Sequence, residues 1–460
     1  MVSGHSPPRM SRPFAAVVLA AGKGTRMKSD LHKVLHPLAG RPMIEHLLET
    51  VTHLGAARVV AVVGAGREQV EPVVQRHGGE VVVQEPQLGT AHAVLQAEPA
   101  LRGFDGDVLV LYADTPLVSA ETKTRMLERL RAPDAPGAVV VASRPADPLR
   151  YGRVIADGDR VLKMVEWKDA TDDERAVDLC NSGLLAARAD DLWGWLSRVG
   201  NDNAAGEYYL PDAVMLAIAD GRGAAVVEVD PYEVAGVNSR AELAELEWTW
   251  QQRRRRRAMD EGASLVAPET VWFSHDTRVG RDVTVEPNVV FRPGVSIADG
   301  AIIRAFSHLE GAQVGAGCEV GPYARLRPGT VLEAGAKVGN FVETKKALLR
   351  AGAKANHLTY LGDAEVGEKA NVGAGTITCN YDGFGKYRTR IGAGAFIGSN
   401  SALVAPVEIG DGAIVGAGSV VTRDVEPDAL ALARGKQEER PGWATRFRER
   451  MLARKGEGST

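Results

Sequence analysis

"VGRDVTVEPNVVFRPGVSIADGAI", Val279 to Ile302, spaces Val279, Val285, Phe291 and Ile297 six residues apart, with Gly, Ala or Pro among the residues between them. A helix repeats its faces about every 3.6 residues and a strand every ~2, so neither uses this period. A run of short strands joined by tight corners does, because each six-residue unit points one aliphatic side chain inward and turns on small residues. The same phase recurs in "VGAGCEVGPYARLRPGTVLEAGAKVGNFVE", from Val314 to Val338, and in "IGAGAFIGSNSALVAPVEIGDGAIVGAGSV", from Ile391 to Val415. A hexapeptide parallel β-helix is expected here. Three breaks, "SHLEGAQ", "TKKA" and "CNYDGFGKYRTR", are expected to be loops on its faces, where binding residues collect.

Upstream, from Phe14 to about Arg240, aliphatic runs such as "AAVVLA", "VVAVVG" and "DVLVLYAD" alternate with helical stretches such as "RPMIEHLLETVTHLG". Buried strands alternating with helices predict βαβ units and a mostly parallel sheet. Between the halves, "SRAELAELEWTWQQRRRRRAMDEG" reads as one helix. Ser239 can cap it, Leu243, Leu246 and Trp250 recur at helical spacing, and Gly262 can end it. Its arginines, Arg253 to Arg257, are read as a solvated face with acidic neighbours in preference to a polyanion site. The expected organisation is an extension over 1–13, an α/β domain over 14–239, a linker helix over 240–262, a β-helix over 263–433 and a tail over 434–460.

A chain of 460 residues exceeds one ordinary core, and 45% hydrophobic content is enough for two globular domains. The net charge of −4 gives no general attraction to nucleic acid, so small molecules are the expected partners. Cys180, Cys318 and Cys379 are odd in number and widely spaced, which suits neither a disulfide framework nor a CxxC metal cluster and implies a reducing compartment. The apolar run Ala15 to Ala21 is too short for an export signal or a bilayer span. No stable membrane insertion is expected, and the cytoplasm is the expected location.

"VLAAGKGTRM", Val18 to Met27, ends a predicted strand in glycines and cations. It is not a P-loop: Val17 stands at the first glycine position, and Gly24 separates Lys23 from Thr25. Nor is it a dinucleotide fingerprint, since Met27 takes the third glycine position. Backbone N–H groups facing an anion, with Lys23, Arg26 and Lys33 nearby, suit a nucleoside triphosphate whose pyrophosphate departs; a plain Gly-rich turn is the alternative. Asp114 ends the predicted strand "DVLVLYAD", at its carboxyl end, where ligands sit in open α/β sheets, and can hold Mg2+; capping the helix after "TPL" is its structural alternative.

"LAAGKGTRM" with "KVL" resembles the sugar-1-phosphate nucleotidyltransferase signature. With "VQEPQLGTAHA", "LYADTPL", "YGRVI", "VEWKDAT", "NSGLL", "GEYYL" and "GVNSR" following in order, the chain resembles, from about Phe14 to Trp443, the bacterial family of bifunctional N-acetylglucosamine-1-phosphate uridyltransferase/glucosamine-1-phosphate acetyltransferases. The resemblance implies a Rossmann-like α/β nucleotidyltransferase domain followed by a left-handed parallel β-helix that associates as a homotrimer. It implies Arg26 and Lys33 as catalytic cations, UTP held by Ala21, Gly22, Lys33, Gln84, Gly89 and Thr90, and Asn238 beside Asp114 on Mg2+. Gly152, Glu166, Asn181, Tyr209 and Asn238 would hold N-acetylglucosamine-1-phosphate. Two positions depart from the family pattern: Ala113 where Gly is usual, which matters only at positive φ, and Pro211 where Thr is usual.

On the β-helix, "NFVETKKALLRAGAKANHLTYLG" gathers Glu343, Lys345, Lys346, His357 and Tyr360. An imidazole, with a reference pKa of about 6.5, suits removal of a proton from an amine near neutrality. By resemblance His357 is the general base toward glucosamine-1-phosphate, with Glu343 a candidate to orient it. Arg327, Lys345, Tyr360 and Asn371 would hold that sugar phosphate, and Ala374, Asn380, Tyr381, Ser399, Ala417 and Arg434 would hold acetyl-CoA. Trp443 would cap a site built between subunits. Cys379 as a thiol nucleophile is a disfavoured rival, because transfer from a thioester to an amine needs no intermediate. Two other readings stay open: a nucleotidyltransferase for another sugar, such as an ADP-glucose maker, whose β-helix only assembles or regulates, and a non-catalytic assembly protein.

Overall fold

The structure, a computed structural model, describes residues 12–148 and 151–457, so most of the expected 1–13 extension lies outside the described residues. The chain divides into two compact units at Arg254/Arg255.

In the first unit Phe14–Ala20 is apolar throughout and buried at every residue. Alternate side chains enter two cores: Ala15, Val17 and Leu19 one, Phe14, Ala16, Val18 and Ala20 the other. A strand covered on both faces has to be apolar without alternation, which is the pattern of "FAAVVLA". It pairs in parallel with Arg58–Val63 on one side and Asp107–Tyr112 on the other, and Glu80–Val83 pairs beyond Arg58–Val63. These four parallel strands therefore lie in the order third, second, first, fourth, with the reversal between the first and fourth. That gap is where open α/β sheets bind ligands. Cys180–Arg188 runs antiparallel to both Asp107–Tyr112 and Ala138–Ser143, and the sheet totals nine strands among the described residues.

A single helix spans Arg240–Asp260. Leu246 packs with Leu38, Met43 and Val237. The arginine run is not wholly solvated. Arg253 pairs with Asp230, Arg256 with Asp260 and Arg257 with Glu261, whereas Arg255 is 2% exposed and donates from Nε to the Val271 carbonyl oxygen at 2.8 Å. The reason is helical phase: Arg255 falls on the face that also buries Ala258.

In the second unit most strands stack in parallel onto strands 17 or 18 residues later, as Ser296 does on Gln313 and Thr284 on Ile302, and the offset widens to 25 across the third break, as for Asn371 on Phe396. Every third strand joins the same sheet, giving three parallel sheets of ten, eight and eight strands among the described residues. The six-residue phase is the inward one: Val285, Phe291 and Ile297 are 0%, 1% and 3% exposed. Two of the three breaks are not loops. Leu309 and Val314 stay buried five residues apart, as do Thr344 and Leu349, so a corner has shed one residue without displacing its strands. The third break does leave the coil, and Phe384 at its tip is 98% exposed.

Neither departure disturbs the backbone. Ala113 lies outside the left-handed region and donates its N–H to the Leu19 carbonyl oxygen at 3.0 Å. Pro211 sits in the first turn of helix Leu210–Ala219, where a missing N–H costs nothing. No helix among the described residues is long and apolar enough to cross a membrane.

Candidate active sites

The carboxyl ends of Phe14–Ala20 and Asp107–Tyr112 open into a cavity of ≈370 Å3 lined by Ala21, Gly22, Lys33, Gln84, Gly89, Thr90, Tyr112 and Asp114. Gly24, at φ 62°, lets the loop fold over the buried Lys33: a Cβ there would stand 2.5 Å from Lys33 Cβ. Lys33 Nζ donates to Asp114 Oδ2 at 2.6 Å and to Asn238 Oδ1 at 3.0 Å. Asp114 does not cap the following helix, which Ser119 caps. The second loop is fixed to the first where Val237 N–H donates to the Asp114 carbonyl oxygen at 2.9 Å.

Two hard oxygens from different loops thus already point at one positive centre. One carboxylate and one amide oxygen suit a hard cation such as Mg2+, which prefers oxygen ligands and keeps several waters.

Gln84, 4% exposed, donates from Nε2 to the Gly89 carbonyl oxygen at 2.9 Å and faces His92 Nδ1 at 3.1 Å. At Gly89, φ 120°, a Cβ would come 2.5 Å from the Tyr208 carbonyl oxygen. The "GTAHA" segment is therefore laced to "EYYL", with Thr90 Oγ1 accepting from Leu210 N–H at 2.9 Å. Gln87 and Glu207 also line the cavity, and sequence reasoning missed both. Arg26 is exposed on the turn Thr25–Met27, outside the cavity lining, and Lys23 lines a neighbouring hollow of ≈640 Å3.

Gly152, Glu166 and Asn181 are brought together: a Cβ on Gly152 would meet the Glu166 carboxylate at 3.2 Å, and Asn181 N–H donates to the Gly152 carbonyl oxygen at 2.9 Å. Burial holds the Glu166 carboxyl above its usual range, and the charges of Asp212, Asp169 and Glu207 add to it. The Tyr209 phenol is raised by burial and by the same acids. Burial raises Tyr112 as well, followed by the charge of Asp114 and, more weakly, of Glu166. Acidic side chains and phenols therefore crowd together beside Gly152 and Asn181.

On the β-helix, His357 Nδ1 lies 2.7 Å from Asn340 Oδ1. The two residues are register partners on adjacent coils. An amide oxygen only accepts, so in this contact Nδ1 is the donor. Asn340 was not read from the sequence. Glu343 does not orient His357: its Oε1 accepts from Arg327 Nη1 at 2.8 Å, because Glu343 stands on the neighbouring sheet in register with Arg325 and Tyr360. Lys345 is held below its ordinary range, first by the Lys386 side chain against it, then by the charges of Lys386 and Arg327. Lys386, on the protruding loop, completes this cationic group and was missed because its contact is not local. Asn371 pairs with Lys354 on the sheet that carries His357.

One corner of the coil runs from His357 through the expected acetyl-CoA residues. Gly375 N–H donates to the His357 carbonyl oxygen at 3.3 Å, Asn400 N–H to that of Ala374 at 2.7 Å, Gly418 N–H to that of Ser399 at 2.8 Å, and Arg434 Nη1 to that of Ala417 at 2.7 Å. Asn380 and Tyr381 lie off this line on the protruding loop. Asn380 Nδ2 donates to Asp363 Oδ2 at 2.6 Å, and Tyr381 Oη to the Gly383 carbonyl oxygen at 2.6 Å. Cys379 is half-buried on strand Ile377–Cys379, in a different sheet from His357. Trp443 begins the tail helix Trp443–Glu457 and stacks on Phe447 at 5.1 Å.

Residues 16–186 match the MobA-like NTP transferase domain, and residues 276–311 and 388–423 match the bacterial transferase hexapeptide of six repeats. Parallel sheets carrying these repeats are consistent with a left-handed β-helix. The bifunctional protein GlmU of Sphingopyxis alaskensis is 67% identical over 97% of this chain and 99% of its own. GlmU of Rhizorhabdus wittichii is 69% identical over 96% and 98%, and that of Zymomonas mobilis 58% identical over 95% and 98%. With matches of this strength across both units, the chain belongs to the GlmU family of bifunctional transferases.

Proposed function

We propose that this chain makes UDP-N-acetylglucosamine in two steps, acetylating glucosamine-1-phosphate from acetyl-CoA and then transferring a uridylyl group from UTP to the product. The observation that carries this reading is the presence of two independent sets of machinery on one chain: Lys33, Asp114 and Asn238 at the sheet's switch point, and His357 with Asn340 at the head of the coil corner.

In uridylyl transfer a phosphate oxygen of the sugar attacks the α-phosphorus of UTP in line, the bond to the bridging oxygen breaks, and pyrophosphate leaves. The attacking dianion needs no general base, so positioning and charge neutralisation dominate. Mg2+, when bound, neutralises phosphate charge. Asp114 and Asn238 would hold it, and Lys33, with Arg26 from the exposed turn, offsets charge on the departing phosphates. Ala21, Gly22, Gln84, Gly89 and Thr90 hold the nucleoside. Gly152, Glu166, Asn181 and Tyr209 hold the sugar.

In acetyl transfer the 2-amine attacks the thioester carbonyl, His357 Nε2 takes the amine proton, and CoA leaves as the thiolate. Arg327, Lys345, Tyr360 and Asn371 hold the sugar phosphate, with Lys386 adding charge. Ala374, Ser399 and Ala417 offer backbone groups to the pantetheine arm, Arg434 meets CoA phosphates, and Asn380 and Tyr381 reach acetyl-CoA from the loop. The protein is proposed to act in the cytoplasm as a homotrimer, with Trp443 closing the acetyl site of a neighbour. A nucleotidyltransferase with a merely structural β-helix would leave the His357–Asn340 pair without a task.

Pure protein given glucosamine-1-phosphate, acetyl-CoA, UTP and Mg2+ should release CoA and form UDP-N-acetylglucosamine. His357→Ala should cut CoA release by about 10²- to 10⁴-fold and spare uridylyl transfer. Asp114→Ala should do the reverse, and loss of both activities in each variant would refute two independent sites.

A further inference from the structure

Asp114 and Asn238 come from loops more than a hundred residues apart in the chain, yet their oxygens must sit close enough to share one cation. The direct backbone link between the loops, Val237 N–H to the Asp114 carbonyl oxygen, is a single hydrogen bond of 2.9 Å. Behind it lies a second connection that the reaction itself does not use. Glu233, five residues before Asn238, reaches across to the start of helix Ala120–Leu130, the helix that follows Asp114. Its Oε2 accepts from Ser119 N–H at 3.0 Å and from Thr122 Oγ1 at 2.7 Å. Ser119 Oγ in turn accepts from Thr122 N–H at 3.0 Å.

A carboxylate at a helix N-terminus meets unpaired N–H groups and the positive end of the helix dipole, so this contact is favourable. The surroundings are dry: Thr122 is 1% exposed and Lys123 0%. Lys123 Nζ donates to the Val118 carbonyl oxygen at 2.5 Å, pinning the end of the Asp114 loop just before the cap. Glu233 also holds its own loop in shape, since its N–H donates to the Asp230 carbonyl oxygen at 2.9 Å.

We propose that Glu233, acting through Ser119 and Thr122, is a positioning residue that sets the spacing of Asp114 and Asn238 for the cation they share. This rests on the uridylyl-transfer reading. Groups bonded directly to metal ligands change metal affinity by about 10- to 100-fold when removed; Glu233 acts one contact further out, through Ser119 and Thr122, so the lower end of that range is expected. Both donors address the same oxygen of Glu233, so the amide oxygen of Gln can replace it.

The test compares the full-length wild type with Glu233→Ala and Glu233→Gln. Amide hydrogen exchange, which needs neither metal nor turnover, should quicken together at residues 114–119 and 236–239 in Glu233→Ala and return toward wild type in Glu233→Gln. The Mg2+ concentration for half-maximal uridylyl transfer should rise about tenfold in Glu233→Ala, with acetyl transfer unchanged. If Glu233→Ala does not fold, Thr122→Val removes one donor and should shift both readouts less, in the same direction. Wild-type exchange at both loops in the variant, or looser exchange with an unshifted Mg2+ requirement, overturns the proposal. A wild type that forms no UDP-sugar sinks the uridylyl reading instead, and the exchange comparison still decides whether the clasp exists.

Discussion

Asn340 addresses one of the two ring nitrogens of His357. Its amide oxygen, 2.7 Å from Nδ1, favours, for a neutral ring, the tautomer that leaves Nε2 as acceptor. Replacing it by Ala frees the ring to rotate and change tautomer, and acetyl transfer should fall about tenfold, a fraction of what the base itself is worth. Asn340→Asp makes a sharper test. A carboxylate there stabilises the imidazolium, so the imidazole takes up its proton at higher pH and the acid limb of the acetyl-transfer profile should move upward; an unmoved limb would show that Asn340 does not address His357. His357 itself was legible through "HLTYLG", but Asn340 was not, because nothing local distinguishes one Asn in "VGNFVE" from a corner residue. Only the coil offset pairs it with His357.

At the scale of the element, the β-helix is a column of inward side chains, each coil resting on the one before. Leu326, 0% exposed, is one such rung, between Leu309 and Thr344 in its sheet. Leu326→Ala should cost about 2–5 kcal/mol, from lost burial and the cavity left behind, read as a lower denaturation midpoint of the acetyl-transfer activity. Leu→Met at the same place, with similar volume, should cost less than ~1.5 kcal/mol. The six-residue phase was legible because burial on a coil repeats locally. The two false loops, at "SHLEGAQ" and "TKKA", arose because a five-residue corner looks like an insertion when only spacing is counted. The α/β half was legible for a comparable reason: a strand covered on both faces carries an unbroken apolar run, as Phe14–Ala20 does.

At the scale of the molecule, two chemistries occupy two compact units, and they should respond differently to association. If the acetyl site is completed by neighbouring copies, dilution below the trimer's dissociation range should abolish CoA release while uridylyl transfer per protomer persists. Sedimentation at matched concentrations would check it, and parallel loss of both activities would count against a shared acetyl site. The amino-acid sequence by itself determined the two architectures and their order, since apolar periodicity is a local property of the chain, while most of the candidate site residues came from ordered motifs that resemble a family. The tertiary structure alone decided who faces whom: Lys33 between Asp114 and Asn238, Glu343 on Arg327 and not on His357, Lys386 against Lys345, and Glu233 on the helix after Asp114. Such pairings depend on strand register and loop crossing over long separations, where a shift of one residue exchanges every partner.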